Sequence, residues 1–259
     1  GIPVQSPDWL LDRDDIDAVS LAGGIVRVPA GRWILDEVVN ISDDRVQVVG
    51  ERGTVLVCPK SLAQIFGPNR NWSWSGGLLR LAPEGSTHVL GRVAQASDGA
   101  DVLPVEWSDP TVAARSGEWV QLQWYNDKED TLLAWLYGQG IPPSKYGSEF
   151  RGEQTVRIRT WTRVVSVEGG RVKIDPPLPA PISDAWRVEM VRTPSLQQVV
   201  LRDLRFEFPD VAHAGHLKEP GYNAIQATRL LQCSIERITT VNADSAVFLG
   251  NSAFTTVRH

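Results

Sequence analysis

Apolar residues recur at a constant spacing near the C-terminus of the chain. An offset of 22 residues relates four pairs: Ala224 and Ala246, Ile225 and Val247, Ala227 and Leu249, Ile235 and Val257. Short runs rich in β-branched residues, such as residues 234–241, alternate with Asn, Asp, Gly and Ser, which are typical of turns. A repeat of this length with short strands and no helix predicts a parallel β-helix. The leucine-rich repeat is the competing architecture, but its signature is absent from the sequence.

The N-terminal part of the chain has the same alternation of short strands and turns. Strands are predicted for five runs, at residues 25–28, 32–35, 38–41, 46–49 and 54–57. Residues 7–22 precede them, acidic at the front and apolar behind. This segment is predicted to form a short capping helix with one apolar face, made by Leu11, Ile16, Val19 and Leu21.

The repeat is interrupted between residues 92 and 190. Strands are predicted at residues 119–124, 155–161 and 163–167, and Glu168-Gly169-Gly170 is predicted to turn into a partner strand at residues 171–175. Residues 130–137 are predicted to form a short helix with Asp130 as its N-cap. The sequence thus divides into N-terminal β-helix coils at residues 1–91, an inserted antiparallel β subdomain at residues 92–192, and resumed coils at residues 193–259.

Three N-terminal segments carry a resemblance to a known family: the pair Asp14-Asp15, residues 23–35 and residues 46–56. They resemble the opening of the pectate-lyase-like superfamily of right-handed parallel β-helix proteins, with Trp33 at the position of a tyrosine in the family's first turn. The resemblance implies an all-β fold, a right-handed parallel β-helix with an N-terminal capping segment. The superfamily contains lyases, hydrolases, epimerases, phage tailspikes and proteins with no known chemistry.

Composition narrows the class of function. The net charge of -5 argues against sequence-independent nucleic-acid binding, because such proteins need a basic surface. No stretch of the sequence is long and apolar enough to cross a membrane. Ten tryptophans outnumber six phenylalanines, and such rings can stack on sugars, although most tryptophans fill protein cores. Cys58 and Cys233 form no metal-binding or disulfide pattern, and Cys233 is predicted to be a buried free thiol.

An aromatic loop interrupts the N-terminal coils. Residues 66–77 combine Trp72 and Trp74 with Gly, Asn and Ser, and a strand resumes at residues 78–81. Solenoid proteins place binding residues on loops that leave a coil. Trp72 and Trp74 are therefore candidate platforms for a sugar. The alternative is a simple connection between coils, with Trp72 packed on the outer face.

Ionisable side chains concentrate in residues 210–223. This segment interrupts the 22-residue step, since Leu201 and the corresponding Ile235 are 34 residues apart. In β-elimination on a uronic acid, a base removes the proton beside the carboxylate, and other groups neutralise that carboxylate. The candidate catalytic residues are His213, His216, Lys218 and Tyr222. The alternative for the histidines is that they only hydrogen-bond loop carbonyls.

The carboxylate of such a substrate has two candidate partners. One is an arginine on a neighbouring coil, which could be Arg229, Arg237 or Arg258. The other is a possible calcium ion with three carboxylate ligands, Asp210, Glu219 and Asp244. Alternatively, Asp244 is a turn residue that accepts backbone N–H groups, and the arginines form a solvated sheet face. Hydrolysis, which needs two carboxylates flanking the bond, is less favoured because Asp203 and Asp244 do not lie one coil apart.

These observations predict an enzyme, secreted or at the cell surface, that cleaves a uronate-containing polysaccharide by β-elimination. Its groove would lie between residues 66–77, the inserted subdomain and residues 210–223. The alternatives are a non-catalytic glycan-binding, adhesive or structural β-helix protein, and a trimeric tailspike segment. Since the sequence ends at the first strand of a fresh coil without a cap, we expect a further chain or C-terminal segment to continue the β-helix.

Overall fold

A computed structural model describes residues 24–259, except residues 69, 139, 143–144, 146, 148–150, 154 and 214. The capping helix predicted at residues 7–22 lies outside the described residues. The chain divides into two compact units, of which the second is Gly85–Pro194 and the first comprises the residues on either side of it. In the described part of the chain, no helix has the length and apolar character needed to span a bilayer.

The first unit consists mainly of short strands. In chain order these are β1 (Ile25–Val28), β2 (Gly31–Ile34), β3 (Val39–Ile41), β4 (Gln47–Gly50), β5 (Thr54–Val57), β6 (Leu79–Leu81), β13 (Leu196–Gln197), β14 (Val200–Arg202), β15 (Arg205–Glu207), β16 (Asn223–Thr228), β17 (Leu230–Leu231), β18 (Ser234–Glu236), β19 (Thr239–Val241), β20 (Ser245–Gly250) and β21 (Thr256–Arg258). One short helix, α1 (Leu62–Phe66), follows β5. The strands predicted in the N-terminal part and in the repeat are confirmed, whereas α1 was not predicted.

Three parallel sheets organise these strands. Sheet I contains β1, β4, β14, β18 and β21, sheet II contains β2, β5, β15 and β19, and sheet III contains β3, β6, β16 and β20. A separate two-stranded parallel pair is formed by β13 and β17. The chain passes through sheets I, II and III in the same order on every pass. The predicted parallel strands are therefore confirmed.

The predicted register of the C-terminal repeat is also confirmed. Ile225 pairs with Val247 and Ala227 with Leu249 between β16 and β20. Ile235 lies between its predicted neighbour Val257 on β21 and Leu201 on β14. Alternate residues of each strand point inward, and these apolar residues form one buried cluster together with both cysteines. Cys58 and Cys233 are buried free thiols, as the sequence predicted for Cys233.

The second unit is a closed antiparallel β-barrel. Its strands are β7 (His88–Val93), β8 (Val102–Trp107), β9 (Trp119–Tyr125), β10 (Val156–Glu168), β11 (Arg171–Asp175) and β12 (Arg187–Arg192), arranged in the order β10-β11-β8-β7-β12-β9. The predicted hairpin is confirmed by the pairing of Glu168 with Arg171. The unit begins at Gly85 rather than at residue 92, because β7 pairs with β8 and β12 and so closes the barrel.

Among its described residues, the barrel unit contains a 3-10 turn (Pro110–Val112) and helix α2 (Thr131–Tyr137). The helix begins where the sequence predicted, after Asp130, but the side chain of Asp130 makes no capping hydrogen bond. Asp127 provides the cap instead, because its carboxylate accepts the N–H groups of Thr131 at 3.1 Å and Leu132 at 3.0 Å. Asp130 is buried and binds Asn126 at 2.6 Å and Arg151 at 2.8 Å.

Asp127→Ala is expected to destabilise the barrel unit by about 1 kcal/mol, since it removes an N-terminal cap. Burial opposes ionisation of Asp127, but hydrogen bonds from Thr131 and Leu132 outweigh it and hold the pKa below its usual value. A lowered folded-state pKa means that this contribution is present above the unfolded pKa and disappears as the pH falls through the folded one. Urea unfolding at neutral and acidic pH measures this difference. Glu129→Ala, on the same turn, is the control, and equal midpoints for the two variants at neutral pH would contradict the assignment.

Candidate functional site

Two loops of the first unit that the sequence singled out are docked against each other. We call residues 61–77 the aromatic segment and residues 208–222 the histidine loop. Helix α1 opens with a capping box, in which Ser61 and Gln64 exchange side-chain and backbone hydrogen bonds. The next two N–H groups, of Leu62 and Ala63, donate to the carbonyls of Gly221 and Pro220, each at 3.0 Å. The histidine loop thus satisfies the free N–H groups of the helix.

Further contacts fix this docking. The buried Asn223 side chain donates to the carbonyls of Trp72 at 2.8 Å and Ser75 at 3.0 Å. Gly221 has a positive φ of 87°, and a Cβ there would lie 2.7 Å from Cβ of Trp72. Only a glycine allows this approach without displacing the tryptophan. The two loops therefore form one packed surface beside sheet III.

A pocket of about 580 Å³ lies where the aromatic segment meets the outer face of sheet III. We call it the aromatic pocket. The lining is contributed by Val38, Asn40, Leu62, Phe66, Arg70, Trp72, Gly76, Gly77, Arg80 and Gln226. Concave sites of this size with apolar walls and a few polar groups are typical of small-ligand sites.

One wall of the aromatic pocket is a stack of side chains. The rings of Phe66 and Trp72 are stacked, with centroids 5.7 Å apart and an interplanar angle of 29°. The guanidinium carbon of Arg70 lies 5.0 Å from the centroid of the Trp72 ring, within range of a cation–π contact. Trp72 is only 5% exposed and donates its indole N–H to the carbonyl of Gly67, whereas Phe66 is 61% exposed. Trp72 therefore supports the wall, and Phe66 presents its ring to solvent.

The floor of the aromatic pocket is a row of outward side chains on sheet III. Asn40, Arg80 and Gln226 are adjacent in register on β3, β6 and β16. Arg80 donates to the side-chain oxygen of Asn40 at 3.2 Å. Among the described residues that line the pocket there is no carboxylate, although Arg70 and Arg80 are both cationic. Both guanidinium groups thus retain N–H donors for an anionic ligand.

The structure separates the predicted aromatic platforms and buries one catalytic candidate. Trp72 is a buried wall residue rather than a solvent-facing platform. Trp74 is 57% exposed and does not belong to the described lining of the pocket. Tyr222 is 6% exposed and packs edge-on against Phe208 in the core. Burial of this ring makes Tyr222 a less accessible candidate base than His216 or Lys218.

The other predicted catalytic residues stay together on the histidine loop. His213, His216 and Lys218 are exposed. The pKa of Glu219 is lowered, first by the nearby Ser73 hydroxyl, then by its own backbone N–H and by the charges of His213 and His216. Ser73 directly follows the pocket residue Trp72. The backbone hydrogen bonds from Leu62 and Ala63 hold this loop beside the aromatic segment.

The three arginines predicted as alternative carboxylate partners lie at different places on the coil and have partners within the protein. Arg237 follows β18 at the corner between sheets I and II, where it donates to both oxygens of Asp203. Arg258 lies on β21 in sheet I and pairs with Glu236 at 3.1 Å. Arg229 follows β16 and donates to the carbonyl of Pro83 at 3.0 Å. The histidine loop connects sheet II to sheet III, so these arginines belong to other corners of the coil.

The predicted calcium ligands Asp210, Glu219 and Asp244 do not form a common site among the described residues. No group of three or more His, Cys, Asp or Glu side chains in the described part of the chain could hold a metal ion. One oxygen of Asp244 accepts the N–H groups of Gly221 at 3.0 Å and Tyr222 at 2.8 Å. This agrees with the alternative in which Asp244 is a turn residue. No catalytic step through a metal follows from Asp210, Glu219 and Asp244.

Asp244→Ala is expected to destabilise the first unit by about 1–3 kcal/mol, because two backbone N–H groups of the histidine loop lose their acceptor. Asp244→Asn keeps an acceptor oxygen and should lose much less. The thermal midpoints of both variants, with and without a calcium chelator, measure this difference. Equal losses for the two variants, together with a chelator-dependent midpoint in the parent protein, would instead support a calcium ligand.

Sequence reasoning missed Phe66, Arg70 and the polar row of the aromatic pocket. The sequence did contain a signal for α1. Ser61 and Gln64 are three residues apart and enclose the apolar Leu62 and Ala63, which is the pattern of a capping box. A second signal was the recurring apolar–polar–apolar triplet on sheet III, which is Val39-Asn-Ile41 on β3 and Leu79-Arg-Leu81 on β6. Alignment of these triplets with Ile225-Gln-Ala227 would have placed the three polar residues in one row.

Known proteins resemble this chain in structure rather than in sequence. No family model and no curated protein sequence match it. The tailspike protein gp49 from Pseudomonas phage LKA1 is 12% identical with a TM-score of 0.52, covering 94% of this chain and 38% of that chain. The Pseudomonas phage phi297 tailspike gp61 is 13% identical with a TM-score of 0.50, again covering 94% of this chain and 38% of that one.

A third structure is more distant. It is the Gp54 tailspike of Acinetobacter baumannii bacteriophage AP22 in complex with A. baumannii capsular saccharide, which is 13% identical with a TM-score of 0.45, covering 98% of this chain and 46% of that chain. The protein shares its fold with phage tailspikes such as gp49, which are right-handed parallel β-helix proteins. It spans less than half the length of any of the three.

Proposed function

We propose that the protein binds an acidic polysaccharide in the aromatic pocket. The observation that carries this proposal is the exposed ring of Phe66 beside two arginines, Arg70 and Arg80, in a pocket whose described lining has no carboxylate. An aromatic ring offers an apolar face to the C–H face of a sugar. A guanidinium can donate two parallel hydrogen bonds to a carboxylate. The pocket therefore has one group for the ring of a uronic acid and another for its charge.

Other outward arginines of the first unit support this assignment by contrast. Arg32 and Arg205 both bind Glu207, at 2.6 and 2.8 Å. Arg237 binds Asp203 at 2.5 Å. These cations are neutralised within the protein, whereas Arg80 has only the neutral Asn40 as its side-chain partner among the described residues. An external anion would complete the charge balance of the pocket.

We also infer that the first unit is a right-handed parallel β-helix and that the protein acts outside the cell. A right-handed parallel β-helix is supported by the fixed order in which the chain visits the three sheets and by the fold shared with phage tailspikes. The resemblance of residues 14–56 to the pectate-lyase-like superfamily agrees with it. A polysaccharide ligand would fit a protein that acts outside the cell, secreted or at a cell surface.

A second candidate function is cleavage of the bound polysaccharide by β-elimination. The observation in its favour is the docking of the histidine loop on the aromatic segment, where the N–H groups of Leu62 and Ala63 donate to loop carbonyls at 3.0 Å. His216 or Lys218 would remove the proton beside the uronate carboxylate, and Arg80 would stabilise the charge that develops there. The electron pair would form a carbon–carbon double bond as the bond to the neighbouring glycosidic oxygen breaks, and that oxygen would leave as a hydroxyl after taking a proton from water. Binding alone needs neither His216 nor Lys218.

A binding panel tests the first function. Hyaluronan, alginate and polygalacturonate carry carboxylates, and dextran is the neutral control. Isothermal titration calorimetry should detect binding to at least one acidic polymer, weakening as the salt concentration rises, because exposed charges are screened. Equal affinity for dextran, or no binding to any acidic polymer, would contradict the proposal.

The second function is tested on the polymer that binds. Its cleavage by β-elimination creates an unsaturated uronate, which is followed by ultraviolet absorbance. His216→Ala and Lys218→Ala are compared: replacing the residue that acts as the base should abolish the absorbance rise while leaving the affinity unchanged. A polymer that binds tightly and yields no absorbance rise would leave binding as the function.

A further inference from the structure

The polar row under the aromatic pocket continues onto the next strand of sheet III. Gln226 on β16, which lines the pocket, pairs in register with Phe248 on β20. Gln226 in turn pairs with Arg80 on β6. Adjacent strands lie about 4.8 Å apart. The Phe248 backbone is therefore about 10 Å from that of Arg80 along the same line.

Phe248 points to the outer face of the sheet. Val247, the preceding residue, packs against the buried core cluster, as does Ile225, its partner on β16. Side chains alternate between the two faces of a strand, so Phe248 and Gln226 share the outward face. Phe248 is partly exposed there. A phenylalanine on a solvent-facing position continues the row that begins with Asn40.

We propose that Phe248 forms a second sugar subsite, so that an acidic glycan chain lies across the strands of sheet III from the aromatic pocket to β20. This inference rests on the proposed function, because it extends the same ligand beyond the pocket. Arg80 would hold the carboxylate of one residue, Gln226 would hydrogen-bond the hydroxyls of the chain, and Phe248 would stack on a later sugar ring. The ligand is therefore an oligomer, and a disaccharide fills only the aromatic pocket.

The test compares two ligand lengths in two variants. Disaccharides and hexasaccharides of hyaluronan, alginate and polygalacturonate are titrated calorimetrically against the protein. Phe248→Ala should weaken hexasaccharide binding by about threefold to tenfold, the range expected for loss of one aromatic contact, and leave disaccharide binding unchanged. Phe254→Ala, which removes a half-exposed phenylalanine from the turn after β20, is the matched control and should change neither affinity.

Folding and the underlying function are checked separately. Phe248→Leu keeps apolar volume on the strand, so it should fold as the parent protein does and still lose hexasaccharide affinity. Unchanged hexasaccharide affinity in both Phe248 variants would overturn the second subsite and leave the pocket intact. If neither length of any of the three glycans binds the parent protein, the proposed function fails as well.

Discussion

Gly50→Ala is expected to destabilise the first unit by about 3 kcal/mol or more, which is the upper range for overpacking a core. A Cβ at Gly50 would lie 2.0 Å from the carbonyl oxygen of Asp203 and 2.9 Å from its carbonyl carbon. Both atoms belong to the backbone of the next coil, so neither can rotate away as a flexible side chain would. Thermal unfolding followed by circular dichroism should show a midpoint lower by roughly 6–12 °C.

This substitution tests the continuity of the parallel sheets across the inserted barrel. Gly50 ends β4 before the barrel, and Asp203 follows β14 after it, while β4 and β14 are paired in register. Gly250→Ala is the matched control, because a Cβ there meets nothing closer than the Thr228 hydroxyl at 3.9 Å. A Gly50→Ala midpoint equal to that of Gly250→Ala would mean that β4 and β14 are not neighbours.

The sequence was most informative where the repeat is uninterrupted. The step from Ile225 to Val247 contains one complete coil without insertions, so inward apolar positions align by simple offset. The resulting strand register is the one observed. In the N-terminal part, β-branched runs between turn residues were sufficient to locate β1 to β5, because each strand has few residues and a clear turn after it.

The barrel and the aromatic pocket were harder to predict for a common reason. The barrel is closed by pairing between β7 and β12, which come from opposite ends of the insertion and have no local signal for each other. In the same way, Arg80 and Gln226 are neighbours on sheet III although the whole barrel separates them in sequence. Local patterns identify strands, but long-range pairing determines which side chains meet.

Burial determines which residues of the predicted site are exposed to a ligand. Trp72 and Tyr222 are residue types that often bind sugars or act in catalysis. In this protein, both are buried and fill space between the aromatic segment, the histidine loop and the core. The sequence could locate these two loops, because each interrupts a coil. It could not assign which aromatic faces solvent, since that depends on the docking through Gly221 and Asn223. Within the aromatic pocket, the exposed ring belongs to Phe66, at the end of a helix that was not predicted.

Arg80→Gln is expected to weaken binding of the acidic polysaccharide by roughly 10- to 100-fold, the range for a hydrogen bond to a charged group. Glutamine can still contact Asn40 and occupies much of the same volume, so the floor of the pocket should keep its shape. What is lost is the positive charge and the paired donors of the guanidinium. Calorimetric titration with the acidic polymer that binds the parent protein measures the change.

The salt dependence separates a charge effect from a change of shape. If Arg80 binds a carboxylate, the affinity of Arg80→Gln should fall less steeply with salt than that of the parent protein, because one screened charge pair has been removed. Arg202→Gln is the matched control, since Arg202 is an arginine on β14 of sheet I that already neighbours Asp203 at 3.7 Å. Equal losses in the two variants would indicate a diffuse effect of net charge. A loss confined to Arg80, with a reduced salt slope, requires a specific anion on sheet III, and a neutral glycan could not produce it.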